Sequence, residues 1–278
     1  MVNINRFFDS MKNGDENFVL TDEGDIDKFL GIEITQLDGK IFKISQPYLT
    51  DQIIYFLNID ANDHNVETNA KSMPVCKPLL HKDLSGKPRK ETYNYRTSVG
   101  MMTYLQGNSR PEMSMAVHQT ARFCNNQMLS HEKAIKRLGR YLSHTRKEGI
   151  FYNPDTSKGL ECYADANFAG GWKEANADDA YNVVSRTGMV IMYTNCPIFW
   201  RSSLQTEIAL STAEAEYMAL SSALRQVLPL MTMMEEINEV FPLLISKPNF
   251  FEKYMKTINH VSKWQQGLSF LLGQNTLP

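Results

Sequence analysis

Cysteine is scarce in this chain and never paired. Cys76, Cys124, Cys162 and Cys196 stand far apart in 278 residues, without a CxxC spacing. That excludes a sequence-local zinc site and a disulfide framework, and it leaves a reducing compartment as the expectation. Long apolar runs are missing too. No window approaches the 18 residues of a membrane helix, and the first dozen positions carry Arg6, Asp9 and Lys12 where a secretion signal has its apolar core. No membrane partner is therefore expected, and an intracellular location is. Proline and glycine are modest at 11 and 15 residues, and 42% of the chain is hydrophobic against 22% charged. These proportions exclude long disorder and collagen-like repeats. At roughly 150 residues per domain the length gives two domains, each with a core of its own.

The net charge of −2 hides a strong segregation. Residues 1–60 hold 5 Lys and Arg against 11 Asp and Glu, residues 61–150 hold 15 against 7, and residues 151–278 hold 9 against 13. A basic block between acidic ends fits a polyanion contact, and it equally fits a solvated helical face.

Residues 29–36 and 40–45 are β-rich runs joined at Asp38-Gly39, the dipeptide suited to a tight hairpin. Pro47 opens a short helix to Leu57, and residues 58–91 read as a long loop. Helical periodicity follows over 93–106, 111–124 and 131–144, the last with Ala134, Ile135, Leu138, Tyr141 and Leu142 on one stripe. Its opposite stripe carries Lys133, Lys136, Arg137 and Arg140, three or four apart, so they share a face that could follow a phosphate backbone. After Gly149 the pattern changes to strands at 150–153, 160–165, 183–194 and 197–204, with Gly188 read as a bulge or tight turn. Ser211-Thr212-Ala213-Glu214 is a capping box that opens a helix expected to run to about Gln226, with Pro229 ending or kinking it and a second helical stretch near 230–240. Residues 241–278 have no clear periodicity.

Two carboxylates stand out in the second half. Asp165 lies in the strand segment Tyr163-Ala164-Asp165-Ala166, and Glu216 lies on the following helix. Like charges brought together call for a hard cation, usually Mg²⁺ with oxygen ligands. The plainer reading, solvated acids at a strand end and on a helix, remains open from spacing alone. His118, His131 and His144 are too far apart to share a metal and read as helix-surface residues. Trp172 and Trp200 read as packing residues, and Cys162 as a small buried hydrophobe.

A set of phrases in fixed order carries a family resemblance. In the first half they are Phe29-Leu30-Gly31-Ile32, Ile44-Ser45-Gln46-Pro47-Tyr48, Tyr95-Arg96 through Tyr104-Leu105, Arg110-Pro111 and Arg140-Tyr141-Leu142. In the second half they are Tyr163 through Gly170, Ser185-Arg186-Thr187-Gly188 and Ser211 through Leu220. Over roughly residues 15–250 the chain resembles the C-terminal part of a copia-type LTR retrotransposon Pol polyprotein, from the end of the reverse transcriptase through the ribonuclease H-like region. The resemblance implies an α+β / α/β fold. Residues 1–148 would form a β-hairpin with the helical thumb and connection, following the last palm strands. Residues 149–278 would form an RNase H-like mixed sheet, five-stranded in the family, with flanking helices. It implies Mg²⁺ as cofactor, in a two-ion site that hydrolyses the RNA strand of a hybrid. Asp165 matches the family's first metal-binding Asp and Glu216 its catalytic Glu. The implied partners are an RNA–DNA hybrid or other nucleic acid, gripped by the Lys133, Lys136, Arg137 and Arg140 face, and the rest of a Pol polyprotein. Cytoplasm, nucleus and a virus-like particle are the intracellular locations this leaves open.

The sequence also departs from that pattern. No Asp follows Asp179, Glu252 is the only carboxylate in residues 251–278, and that tail reads as unrelated sequence joined after about Phe250. The RNase H sheet is therefore expected to be incomplete, without its last strand and helix, and its site to lack two carboxylates. Asn167 stands where the family commonly has a second Asp, and Phe168 where it has Trp. The polymerase motif, Tyr/Phe-Val-Asp-Asp, is absent and expected to precede residue 1. The expectation is a Pol fragment from a family that couples reverse transcription with hybrid cleavage, itself catalytically defective. The alternatives are a non-catalytic nucleic-acid-binding remnant and a non-functional product of a decayed element.

Overall fold

The structure is a computed structural model that describes residues 12, 21, 24–59, 74, 79–174, 179–240 and 255–257. The Asp38-Gly39 turn joins β2 (Ile32–Asp38) to β3 (Ile41–Ser45), with Gly39 at φ +52° and the register shifted between Gln36 and Asp38. β1 (Lys28–Phe29) pairs outside β2, and β4 (Ile150–Tyr152) pairs with β3, so the first sheet runs β1-β2-β3-β4 with every pairing antiparallel. β4 thus joins the first sheet although it lies beyond the change of pattern at Gly149. The approach is close: a Cβ on Gly149 would stand 2.2 Å from the Ile44 carbonyl oxygen. Gly149→Ala is expected to cost about 1–3 kcal/mol as the backbone shifts. An unchanged urea midpoint would remove this account of the glycine.

Pro47 occupies the first turn of α1 (Pro47–Phe56), where its missing N–H has no partner to lose. α2 (Tyr95–Asn108) is capped by Asn94, whose side chain accepts from Thr97 N–H at 3.0 Å. A 3₁₀ turn at Pro111–Met113 leads into α3 (Ser114–Ala121), and α4 (Leu129–His144) completes the helical lobe. The α4 stripe packs as its spacing demands. Ile135, Leu138 and Leu142 are fully buried with Ile53, Leu57, Met102, Leu105 and Met113 in one core.

The second sheet contains β5 (Leu160–Asn167), β6 (Arg186–Tyr193), β7 (Cys196–Leu204) and β8 (Met255–Thr257), in the order β7-β6-β5-β8. Pairing is antiparallel except between β5 and β8, which is parallel and sets Ala164 opposite Thr257. The tail, which shows no clear periodicity in sequence, supplies one short strand; its remaining residues lie outside the described ones. Gly188 is not a bulge or a turn. Two partner strands hold it extended, opposite Asp165 on one side and Ser202 on the other, and the irregularity falls at Ile191/Met192 instead.

α5 (Thr212–Val240) is one helix that runs through Pro229, so the stretch expected to about Gln226 and the one expected near 230–240 are continuous. Pro229 is exposed, so water can bond the carbonyl it leaves open, while Ala223, Val227 and Met234 on the other side keep both halves on the sheet. Ala215, Ala219 and Ala223 are buried at i, i+4 and i+8, small enough to bring the helix close to β5 and β6. No described helix is long and apolar enough to cross a membrane.

Hydrogen bonds tie the helical lobe and the first sheet to the second sheet. Trp200 Nε1 donates to the Gln106 carbonyl at 2.8 Å, Tyr152 OH to the Pro197 carbonyl at 2.9 Å, and Arg186 Nη1 to His118 Nδ1 at 3.1 Å.

Candidate functional site

Asp165 lies near the end of β5 and is 9% exposed. Cys162 and Ala164 pack beneath α5, so strand alternation sets Asp165 on the opposite face, the one that carries Arg186. Burial pushes the Cys162 thiol up to about 11, so it behaves as the inert hydrophobe its position suggested. Glu216 is exposed just past the first turn of α5. Five full helical turns separate it from Met234, so it shares the sheet-facing side of the helix at a level the sheet does not cover. Gln205 places that turn at the Asp165 end of the sheet, because its Nε2 reaches both Thr187 Oγ1, beside the paired Ala166, and the Ala215 carbonyl.

Glu214 does a different job. Its N–H donates to Ser211 Oγ at 3.1 Å, and its carboxylate accepts from Leu210 N–H at 2.6 Å, one residue before the position a strict capping box would reach. Among the described residues no group of three His, Cys, Asp or Glu could hold a metal ion. β8 runs beside β5 with Met255, Lys256 and Thr257, none of them acidic. Two carboxylates are too few oxygen ligands for a two-ion magnesium site, so the described residues do not fit that group.

The α4 face is less free than its spacing implied. Lys133 is exposed, but Lys136 is ion-paired with Glu91, 45 positions away. Arg137 and Arg140 are half-buried, each with Nε enclosed and without a hydrogen-bond partner. The helix start is fixed by a network that the sequence pattern did not reveal. Glu132 accepts from Lys90 and Glu91 N–H at 3.0 Å each, and Arg89 lies 3.6 Å from it while donating to the Tyr93 carbonyl. Burial first, then Glu132, pushes the Tyr93 hydroxyl up to about 12.

The histidines are not all surface residues. His131 is fully buried and stacked on Phe123 at 4.0 Å. Its Nδ1 accepts from Met128 N–H, so Nε2 carries the proton that bonds the His81 carbonyl. His118 sits in the joint between the lobes, where burial, then Arg186, Arg122 and Arg201, hold its imidazole down to about 4. His144 alone matches the surface reading, with Nδ1 on the Arg140 carbonyl in an exposed position. Trp200 packs into the joint as expected, whereas Trp172 is 54% exposed.

The sequence reading passed over Arg186. It stood inside the Ser185-Arg186-Thr187-Gly188 phrase, but its neighbours follow from the β5–β6 register and from α3, which no local pattern encodes.

The chain has relatives of known name. It is 27% identical over 213 residues to the retrovirus-related Pol polyprotein from transposon RE1 of Arabidopsis thaliana, covering 77% of this chain and 13% of that protein. It is 28% identical over 233 residues to the corresponding polyprotein from transposon TNT 1-94 of Nicotiana tabacum, covering 80% and 16%. It is also 33% identical over 132 residues to the secreted RxLR effector protein 161 of Plasmopara viticola, covering 48% of this chain and 87% of that one. No family model and no solved structure matches the chain. Its length is thus a small part of the polyproteins it resembles.

Proposed function

This chain belongs to the Pol polyproteins of retrotransposons, and from that membership we propose that it is a reverse transcriptase–ribonuclease H segment that contacts nucleic acid without cutting it. Residues 1–148 are read as the last palm strands, thumb and connection, and residues 149–278 as an RNase H-like domain. The second reading is supported by the order β7-β6-β5-β8, with a parallel fourth strand reached through a helix, four strands among the described residues against five in the family. Reverse transcription and hybrid cleavage are the family role proposed for the whole polyprotein, of which this chain is one stretch.

The observation that carries the non-cutting reading is the ligand set. Asp165 and Glu216 are the two carboxylates a Mg²⁺ ion would use, and the described residues add no third. Nucleic-acid contact rests on the basic middle of the chain and on Lys133, Arg137 and Arg140; Lys136 is partly neutralised by Glu91.

The test is an end-labelled RNA–DNA hybrid incubated with the chain in Mg²⁺ or Mn²⁺, beside Asp165→Asn, with binding followed in the same tubes. Expected is no cleavage above that of Asp165→Asn. Binding should fall steeply with salt, by about 0.9 log units per log unit for each phosphate neutralised, and Lys133→Glu should weaken it. Cleavage abolished by Asp165→Asn would overturn the non-cutting reading. Absence of both cleavage and binding would leave the non-functional product of a decayed element.

A further inference from the structure

The joint between the lobes holds more positive charge than its neighbours neutralise. Arg186 is 7% exposed, and in the β5–β6 ladder it faces Asn167, a neutral amide. Its Nη1 donates to His118 Nδ1 at 3.1 Å and approaches Ser202 Oγ at 3.4 Å, but Nη2 is buried without a hydrogen-bond partner. Arg122 stands close by, just past α3. Burial, then Arg122, pushes the Arg186 guanidinium down to about 10. Asp179 is the nearby carboxylate. Its Oδ1 accepts from Tyr181 N–H at 3.2 Å and lies 3.7 Å from Lys82, while Oδ2 is buried without a partner.

Arg186, Arg122, Asn167, Gln119, Asn182 and His81 line a cavity of about 10 Å³, room for one oxygen atom of the size of a water molecule. Gly170, Gly171 and the exposed Tyr181 lie at its rim. A Cβ on Gly170 would meet Asn167 Nδ2 at 2.1 Å, so a side chain there would displace the Asn167 amide. His81 Nδ1 must donate to Asn182 Oδ1 at 2.9 Å, which leaves its buried Nε2, also without a partner, as an acceptor.

We propose that this cavity is an oxyanion site: it takes one oxygen of a phosphate group against Arg186 Nη2, with the rest of the group at the mouth beside Arg122. Asp179 acts as an opposite charge on Arg122, so Arg186 is the guanidinium left short of counter-charge; a water molecule would satisfy its Nη2 but bring no charge, whereas a phosphate oxygen answers both needs. Arginine's planar fork suits that geometry. The acceptor at His81 Nε2 adds a preference, because inorganic phosphate, or a monoester in its monoanionic form, carries a P–OH that can donate to it and a phosphodiester does not. The site stands independently of the α4 face and of the carboxylate pair.

The test is the melting temperature of the full chain in inorganic phosphate, against chloride at equal ionic strength. Phosphate should raise it saturably by about 3 °C. Asn167→Asp sets a carboxylate opposite Arg186, so it should raise the starting value and abolish the phosphate increment. Arg122→Gln, at the mouth, should shrink the increment, and it decides the matter if Asn167→Asp fails to fold. A short single-stranded DNA that displaces phosphate would assign the group to a nucleic-acid backbone; a phosphate effect that DNA leaves untouched would assign it to free phosphate or a monoester. No increment over chloride, or an increment equal in wild type and both variants, would overturn the proposal and leave the cavity to a buried water.

Discussion

Arg110→Ala is expected to lower the unfolding free energy by about 3–5 kcal/mol. Arg110 is 1% exposed and fully committed. Nε donates to Glu112 Oε1 at 2.6 Å, Nη1 to the Thr145 carbonyl at 3.0 Å and Nη2 to Thr145 Oγ1 at 2.6 Å, and the guanidinium lies over the Tyr141 ring at 5.4 Å. Glu148 is a further carboxylate at 3.8 Å. The side chain therefore ties the turn before α3 to the C-terminal end of α4, which gives the Arg110-Pro111 phrase a structural role. Removing it takes the cation from Glu112, which keeps Tyr141 OH at 3.2 Å on Oε1 while Oε2 stays buried without a partner, and leaves the Thr145 carbonyl and hydroxyl without their donor. Urea unfolding measures the loss. The double variant Arg110→Met/Glu112→Leu should recover most of it, because removing both charges costs far less than orphaning one. A loss below about 1 kcal/mol in Arg110→Ala would mean that water reaches Glu112 and the pair is not buried in solution.

Acidification from pH 7 to about 4 is expected to cost roughly 2–3 kcal/mol through His118 alone. Its folded value is about 4, against an unfolded value near 6.5. Between those limits the unfolded chain binds a proton that the folded chain refuses, so stability falls as pH falls through that window and levels off below it. Charging the imidazole would set it against Arg186, Arg122 and Arg201 and would remove the acceptor that Arg186 Nη1 uses. His131 is lowered in the same direction by burial and adds to the slope. The urea midpoint followed from pH 7 to 4 should drop, and His118→Gln, which keeps an acceptor and loses the titration, should flatten the curve. Parallel curves for wild type and variant would show that His118 is solvated and free to titrate.

Local chemistry was legible where it was sufficient. Asp38-Gly39 defines a hairpin, Ser211 and Glu214 define a helix start, and the α4 stripe defines its buried side, because each feature is decided within a few residues. Elements that depend on distant partners were not. Pro229 reads as an end or a kink in α5, but it lies on the solvent side while Ala223, Val227 and Met234 hold both halves in line. His131 reads as a surface residue until Phe123 and His81 close over it. The functional residues divide the same way. The strand of Asp165 and the helix of Glu216 follow from pattern, whereas the neutralisation of Lys136 by Glu91 and the setting of Arg186 between Asn167 and His118 depend on tertiary register.

The parallel pairing of β8 bears on how the chain is made. Ala164 and its partner Thr257 are separated by 93 positions, an interval that holds β6, β7, α5 and the segment after it. At about 5–20 residues per second on the ribosome, the β5 edge waits roughly 5–20 s before the strand that covers it emerges. For that interval β5 presents open N–H and C=O groups beside an apolar row, Leu160, Cys162 and Ala164, that α5 reaches only as its own residues appear. The nascent second sheet is thus a natural client for chaperones, and the hazard of misassembly lies in synthesis more than in the finished molecule.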